Sequence, residues 1–280
     1  MNHILLDTCV WLNLADWRES QVVAAIAELL TNQKLTLVVP DIVELEFDRN
    51  EETIISSREK AAKSHIKRIR ELLDFLEKPD EKKVFSQMLD LLNKQAEKRS
   101  VVAKQNIEPL RSLIQRSVKS TTNAAMRDAA FDCCLAKHAP CHRSKNSLAD
   151  ALILEHFKTI NITPAGSRRF FVTDNTEDFG DVDRRKVHSE LAGLFDEHTT
   201  HYRLNVAEVL NEIQPNIVSA EVVENVNRLQ TAMRDLRVSA CSHELNENEG
   251  AYLRSRYGGL TLHLRCKKCG VMFDTGEPFD

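Results

Sequence analysis

Four acidic residues stand where apolar segments end or helices begin: Asp7, Glu46, Asp150 and Asp174. Carboxylates gathered in one place repel, and burying one unpaired costs about 3 kcal/mol or more. A divalent cation removes that penalty. Mg²⁺ and Mn²⁺ prefer oxygen ligands, and ions held this way can acidify a water and stabilise charge at phosphorus. The chemistry open to such a set is phosphodiester hydrolysis without a protein nucleophile, and no Ser-His or Cys-His arrangement in the sequence competes with it. Each acid also has a plain structural role. Asp7 can cap the helix beginning near Cys9, and Asp174-Asn175 can be a turn pair. Asp150 stands apart: Leu148, Ala149, Ala151 and Leu152 flank it, and Leu154 occupies the i+4 position where a Lys or Arg would pair with it. Glu46 competes with Glu44, since the two lie about 200° apart on a helix and only one can face a common site. Asp178 and Asp181 are further candidate ligands.

These acids need elements that bring them together. His3–Leu6 reads as a short strand ending at Asp7, followed by a helix through Trp11, Leu12 and Leu14. Val22–Leu30 reads as a second helix and Leu35–Val39 as a buried β-branched strand stopped by Pro40. Asp41 then opens a helix carrying Ile42, Val43, Leu45 and Phe47. From about 51 to 140 the pattern is helical and charged, punctuated by Pro79 and Pro109. It predicts two or three long antiparallel helices, one burying Ile66, Ile69, Leu72, Leu73 and Leu76, the next Val84, Met88, Leu91 and Leu92. Asn146 or Ser147 caps a helix over Leu148–Phe157, Arg169–Thr173 is a strand stopping at Asp174, and Thr200–Leu204 is a last strand. Helices follow at Val206–Ile213 and Val218–Leu236. Continuously apolar strands alternating with helices predict an α/β fold, a parallel sheet covered on both faces, with ligands at the carboxyl ends of the strands.

The tail carries a second constellation. Cys266-Lys267-Lys268-Cys269-Gly270 is a CxxC knuckle, and Cys241-Ser242-His243 lies upstream. Two close pairs of thiolate and imidazole ligands fit a closed tetrahedral site for a structural Zn²⁺; His263 is an alternative fourth ligand. The segment is too short to bury a sufficient core, so metal would hold it together. It resembles a zinc ribbon in which Cys-x-His replaces one CxxC. Cys9, Cys133, Cys134 and Cys141 read as buried or incidental thiols; Cys133 and Cys134, adjacent on a helix, point about 100° apart and make a poor ligand pair.

The composition is that of a globular protein, 42% hydrophobic and 29% charged. The sequence has no apolar run near the roughly 18 residues a membrane span needs, and its first residues lack the marks of a signal peptide. A cytoplasmic protein is the expectation, with its oligomeric state unspecified. The net charge of −4 is unevenly spread: residues 51–127 hold 17 Lys and Arg against 11 Asp and Glu. A basic helical segment on an acidic body is either a solvated surface or a nucleic-acid face. Arg143 and Lys145, just before the Asp150 helix, are candidate phosphate contacts.

Four segments in order then carry a resemblance. Ile4-Leu5-Leu6-Asp7-Thr8, Val39-Pro40-Asp41-Ile42-Val43-Glu44-Leu45-Glu46-Phe47, Ser147-Leu148-Ala149-Asp150-Ala151-Leu152-Ile153 and Phe171-Val172-Thr173-Asp174-Asn175 resemble the motifs of the PIN (PilT N-terminus) nuclease domain. The resemblance implies an Mg²⁺- or Mn²⁺-dependent nuclease, a class acting most often on single-stranded or structured RNA, with Asp7, Glu46, Asp150 and Asp174 as ligands and Thr8 and Asn175 as nearby polar groups. The helical insertion is longer than in compact ribonuclease toxins, and Arg143-Ser144-Lys145-Asn146-Ser147 before Asp150 resembles larger bacterial PIN-like proteins, some associated with defence, where a regulatory protein partner is a further expectation. The expected organisation is a nuclease domain over 1–205 with its insertion at about 51–140, a helical linker over 206–239 and a zinc-ribbon-like module over 240–280. The competing expectations are a catalytically inactive module that binds nucleic acid or protein, and a metal-assisted phosphatase. Cys9, at the second position after Asp7, speaks against an aspartyl-phosphate route, which would want an Asp there.

Overall fold

The computed structural model describes the chain apart from residues 17–19, 74–77, 143–146, 163–165, 182–185, 197, 240, 255–259, 268–270 and 279–280, and apart from the side chains of 16, 52–65, 72, 79, 81, 92–106, 233–239, 249, 254, 274 and 276–278. Arg143 and Lys145, the candidate phosphate contacts, and Cys269 and Gly270 of the CxxC knuckle lie outside the described residues.

Strand β1 (Asn2–Leu6) leads into helices α1 (Thr8–Asp16) and α2 (Ser20–Thr31), then β2 (Leu35–Pro40) and the long helices α3 (Asp41–Leu73) and α4 (Pro79–Arg116). A short strand β3 (Val118–Ser120), α5 (Ala124–Ala136), α6 (Leu148–Lys158) and β4 (Arg168–Val172) follow. A 3-10 turn (Ser189–Leu194), β5 (Thr200–Arg203), α7 (Val206–Ile213) and α8 (Ala220–Ser239) complete the main body. The five strands form one parallel sheet in the order β3-β2-β1-β4-β5. The order reverses at β1, so a crevice opens between the carboxyl ends of β1 and β4, the place where such sheets receive ligands. Leu6 pairs with Val172, which sets Asp7 beside Thr173 at that crevice.

The strands pack as their apolar composition demands. Ile4, Leu5, Leu6, Leu37, Val39, Phe170, Phe171 and Val172 are all buried in one core, with Phe171 ringed by Phe157, Phe179, Phe195 and Tyr202. Such burial contributes about 1.5–3 kcal/mol per large apolar side chain.

The helical region differs from the sequence expectation in three ways. First, α3 runs unbroken from Asp41, so the helix carrying Glu46 is also the first arm of the insertion. Second, Pro79 starts α4 but Pro109 lies inside it. Ile107, Leu110, Leu113 and Ile114 around that proline are buried in the main core, and this packing outweighs the hydrogen bond that proline removes. Third, the apolar faces of the hairpin are only partly covered. Leu73 and Leu89 are buried, whereas Ile69, Val84, Met88 and Leu91 are exposed; Leu72, Leu76 and Leu92 lie outside the described side chains. Two helices leave room for a one-sided seam only, so the described apolar positions off that seam face away.

The segment expected as a linker belongs in part to the main body. Val206, Ala207, Val209 and Leu210 of α7, with Val218 and Val226, are buried in the same core, and Asn205 caps α7 through the N–H groups of Ala207 and Glu208. The tail is a separate three-stranded antiparallel sheet of β6 (Leu245–Arg254), β7 (Leu260–Cys266) and β8 (Met272–Pro278), in the order β6-β7-β8. No helix among the described residues is long and apolar enough to cross a membrane.

Candidate metal centre

Asp7 follows β1. Its backbone carbonyl accepts the N–H groups of Val10 and Trp11 and so starts α1, while its side chain turns into the crevice. Thr173 donates its hydroxyl to Asp7 Oδ2 at 2.6 Å, and the Cys9 thiol donates to the same oxygen at 3.1 Å. The capping role and the site role are therefore filled by different atoms of one residue.

Glu46 is positioned by the packing of α3 on α1. Val43 and Phe47 are buried on the inner face of α3, and Phe47 meets Trp11 edge to face at 6.4 Å between centroids. This seam turns Glu46 over the strand ends, where Thr8 Oγ1 donates to Glu46 Oε2 at 2.6 Å. Glu44 points elsewhere and pairs with Lys119 of β3 at 2.7 Å, so the geometry separates the two glutamates.

Asp150 lies in the first turn of α6, with Ser147 at the N-cap position. The helix is anchored by Ala151, Ile153, Leu154 and Phe157, all buried, and at its far end by His156. The His156 imidazole meets Ser120 Oγ at 2.7 Å and Thr122 Oγ1 at 2.9 Å, which locks α6 to the end of β3. Asn175 reaches Asp150 Oδ1 at 3.1 Å and Asp178 Oδ2 at 2.8 Å through its side-chain amide.

These residues surround one cavity of about 420 Å³, lined by the carboxylates of Asp7, Glu46, Asp150 and Glu177 together with Thr8, Cys9, Leu12, Asn50 and Asn175. None of the described lining residues is basic. Burial raises the Asp7 carboxyl above its ordinary value; the bonds from Thr173 and Cys9 work against that rise and the Glu46 charge works with it. Burial, reinforced by Asp7 and Asp174, pushes the Cys9 thiol well above its ordinary range, which makes it a poor nucleophile. A larger cleft of about 590 Å³ lies between α3 and α4, lined by Lys67, Arg70, Lys82 and Lys83. Glu71 is the one acid among its described lining residues, and the cleft lies on the insertion.

Asp174 is buried behind the cavity rather than on its lining. Asn13 donates to Asp174 Oδ2 at 3.2 Å, and the Asp174 N–H bonds to Cys9 Sγ. Asp178 is fully buried, and neither it nor Asp181 lines the cavity. Glu177 does, and the sequence reading passed over it. The run Asp174-Asn175-Thr176-Glu177-Asp178 offers three acids after β4, and the turn there sends Asp178 inward and leaves Glu177 half-buried at the rim. Cys9, which reads from the sequence as a buried or incidental thiol, and Asn50 also line the cavity; Asn50, one turn after Glu46, was legible in principle, since i+4 positions share a helix face. The acids do not form a group of three ligand atoms within 4.8 Å of one another; among the described residues Cys241, His243 and Cys266 do.

That second cluster sits at the open end of the small sheet. Cys241 and Cys266 hold their sulfurs 3.7 Å apart, close to the roughly 3.8 Å spanned by two thiolates bound at about 2.3 Å to one tetrahedral zinc. Cys266 N–H bonds to the Val271 carbonyl and Lys267 N–H to the Glu244 carbonyl, bringing the two ligand segments side by side. His263, the alternative ligand, instead meets the Thr261 carbonyl at 3.0 Å.

The model of the PIN domain family matches residues 4–179. The chain belongs to the PIN domain family, whose members are generally metal-dependent nucleases. Neither curated proteins nor solved structures yield a match.

Proposed function

We propose that the chain is an endonuclease that hydrolyses phosphodiester bonds in RNA, with Mg²⁺ or Mn²⁺ held by Asp7, Glu46 and Asp150. The observation that carries this reading is the single cavity with four carboxylates on its lining and no basic residue among its described lining residues. An all-oxygen donor set of high negative charge suits a hard divalent cation. Bound there, such an ion supplies charge neutralisation for the scissile phosphate and acidity for an attacking water.

The chain's own groups do the positioning. Thr173 and Cys9 fix the Asp7 carboxylate, Thr8 fixes Glu46, and Asn175 fixes Asp150. Glu177 at the rim completes the ligand set, and Asp174 adds negative charge from behind, oriented by Asn13. Arg143 and Lys145 are proposed to meet substrate phosphates. The tail is proposed to be a zinc-ribbon-like module with Cys241, His243, Cys266 and Cys269 as ligands of a structural Zn²⁺. In this reading, residues 1–205 with the packed part of 206–239 form the nuclease body and 240–280 the module. The protein acts in the cytoplasm, in a bacterial defence or toxin role under a protein partner.

The test is incubation of the full chain with short RNA and DNA substrates and Mg²⁺ or Mn²⁺. Cleavage of RNA that needs the ion and is lost in Asp7→Asn with Asp150→Asn supports the reading. Ion-dependent cleavage that survives the double substitution, or binding without cleavage on every substrate, overturns it.

A further inference from the structure

Cys134 and Cys141 bring their sulfurs to 2.6 Å. That separation is well inside non-bonded contact. It lies nearer to the roughly 2.05 Å of a disulfide than to the roughly 3.8 Å that two thiolates span on one zinc. The sulfurs of Cys241 and Cys266 keep 3.7 Å. The two pairs are therefore set for different chemistry, metal at one and oxidation at the other.

The backbone builds the close approach. Lys137 ends α5 in the left-handed conformation, and its N–H bonds back to the carbonyls of Cys133 and Cys134. His138 N–H bonds to the Cys133 carbonyl at 3.1 Å and Cys141 N–H to the His138 carbonyl at 2.6 Å. The chain thus doubles back and lays Cys141 on the last turn of α5, within a small apolar cluster of Ala130, Ala151 and Leu152.

We propose that Cys134 and Cys141 form a reversible oxidation site, closed by a low-molecular-weight disulfide of the glutathione class. Cys134, half-buried, attacks first: its thiolate displaces one thiolate from the small disulfide and leaves a mixed disulfide. Cys141 then gives its proton to solvent and attacks the Cys134 sulfur, and the second small thiolate departs. Two protein thiols are oxidised and one small disulfide is reduced to two thiols. The short loop between the cysteines makes the closing step intramolecular and fast. Cys141 is buried while Cys134 is half-buried, so an external disulfide meets Cys134 first and Cys141 takes the second step. Cys133 is the nearest competitor: its thiol meets the carbonyls of His138 and Ala139 at 3.5 Å and also bonds to Cys141, so the Cys133→Ser variant is the one that separates the two pairings.

The bond lies next to the catalytic helix. Cys141 Sγ donates to the Ser147 carbonyl, the same carbonyl that receives the first helical N–H of α6 from Ala151. Oxidation removes that thiol hydrogen from the start of the helix that carries Asp150.

The experiment equilibrates the full, zinc-loaded chain in mixtures of oxidised and reduced glutathione, traps remaining thiols by alkylation and maps the peptides by mass. The expected result is a Cys134–Cys141 cross-link with loss of two alkylatable thiols, reversed by dithiothreitol. It should be absent in Cys134→Ser and present in Cys133→Ser. Full alkylation of both cysteines across the series, accumulation of a mixed disulfide alone, or a Cys133–Cys141 link in the native chain would each overturn the proposal. The decisive measurement is on the unmodified chain, so it does not depend on how the variants fold.

Discussion

Thr173 gives its hydroxyl proton to the Asp7 carboxylate at 2.6 Å and accepts the Asn175 N–H at 2.9 Å. One buried side chain therefore ties the end of β1 to the end of β4 and also sets the residue that holds Asp150. Replacing Thr173 by Val keeps the volume and removes both bonds. Groups that orient a metal ligand are typically worth about 10–100-fold in metal affinity or activity. Thr173→Val is expected to raise the Mg²⁺ or Mn²⁺ concentration for half-maximal cleavage by about that factor. Thr173→Ser, which keeps the hydroxyl, should restore most of it. A metal titration of cleavage rate checks this, and equal curves for the Val variant and the parent would remove Thr173 from the positioning role.

Glu44 and Glu46 make a matched pair for a second test. Glu46 lines the acidic cavity and accepts from Thr8, whereas Glu44 pairs with Lys119 at the surface. Glu46→Gln is expected to lower the cleavage rate at least about 100-fold, as loss of a ligand exceeds loss of a supporting bond. Glu44→Gln should leave the rate unchanged and cost less than about 1 kcal/mol of stability, the usual worth of an exposed ion pair. Single-turnover rates with thermal melts of both variants decide it; a slow Glu44 variant beside a fast Glu46 variant would reverse the assignment.

Much of this arrangement was legible in the sequence because strand ends and helix starts announce themselves. The apolar runs before Asp7 and Asp174 placed both at one edge of a parallel sheet, whereas helical geometry said only that Glu44 and Glu46 could not both face it. What stayed hidden depends on tertiary packing. Pro109 reads as a helix end, yet its neighbours are buried in the main core and keep α4 continuous. Helical periodicity marks Val84, Met88 and Leu91 as a face but cannot say whether a partner covers it, and they are exposed. Glu177 and Asp178 are adjacent acids whose opposite fates are set by a turn that no local pattern specifies.

His156 gives the fold a pH dependence. Its ring is buried between Ser120 and Thr122 with Asp41 at 3.5 Å. Burial holds it below its ordinary value of 6.5 despite the opposing pull of Asp41. The folded state therefore favours the neutral ring, and the unfolded chain takes up the proton first. The resulting stability is complete above about pH 6.5 and is lost as the pH falls through that value toward the lower folded one. His156→Gln keeps one hydrogen bond, costs about 1–2 kcal/mol at neutral pH and should show a shallower fall in melting temperature on acidification. The slope it retains belongs in part to His3 and His201, which burial also holds low. Parallel melts of parent and variant from about pH 7.5 to about pH 5.5 isolate the His156 share, and identical slopes would refute it.

The sulfurs of Cys241 and Cys266 stand at zinc-like spacing with His243 in the same cluster, and the sheet they close is small. Its three strands cover little apolar surface of their own: Tyr252, Leu253 and Leu260 are exposed. On the zinc-ribbon reading, a bound metal rather than a core would hold such a sheet. Cys266→Ser is expected to abolish stoichiometric zinc in the purified chain and to remove amide exchange protection from β6, β7 and β8, while protection in β1, β2 and β4 persists. Zinc restored to a chelator-treated parent should return the protection, and zinc added to the Ser variant should not. Protection of the small sheet that survives both chelation and the substitution would mean that packing, not metal, holds the module. Cleavage of a short RNA by the Cys266→Ser variant is expected to continue at the parent rate, because the acidic cavity is built entirely from residues of the main body.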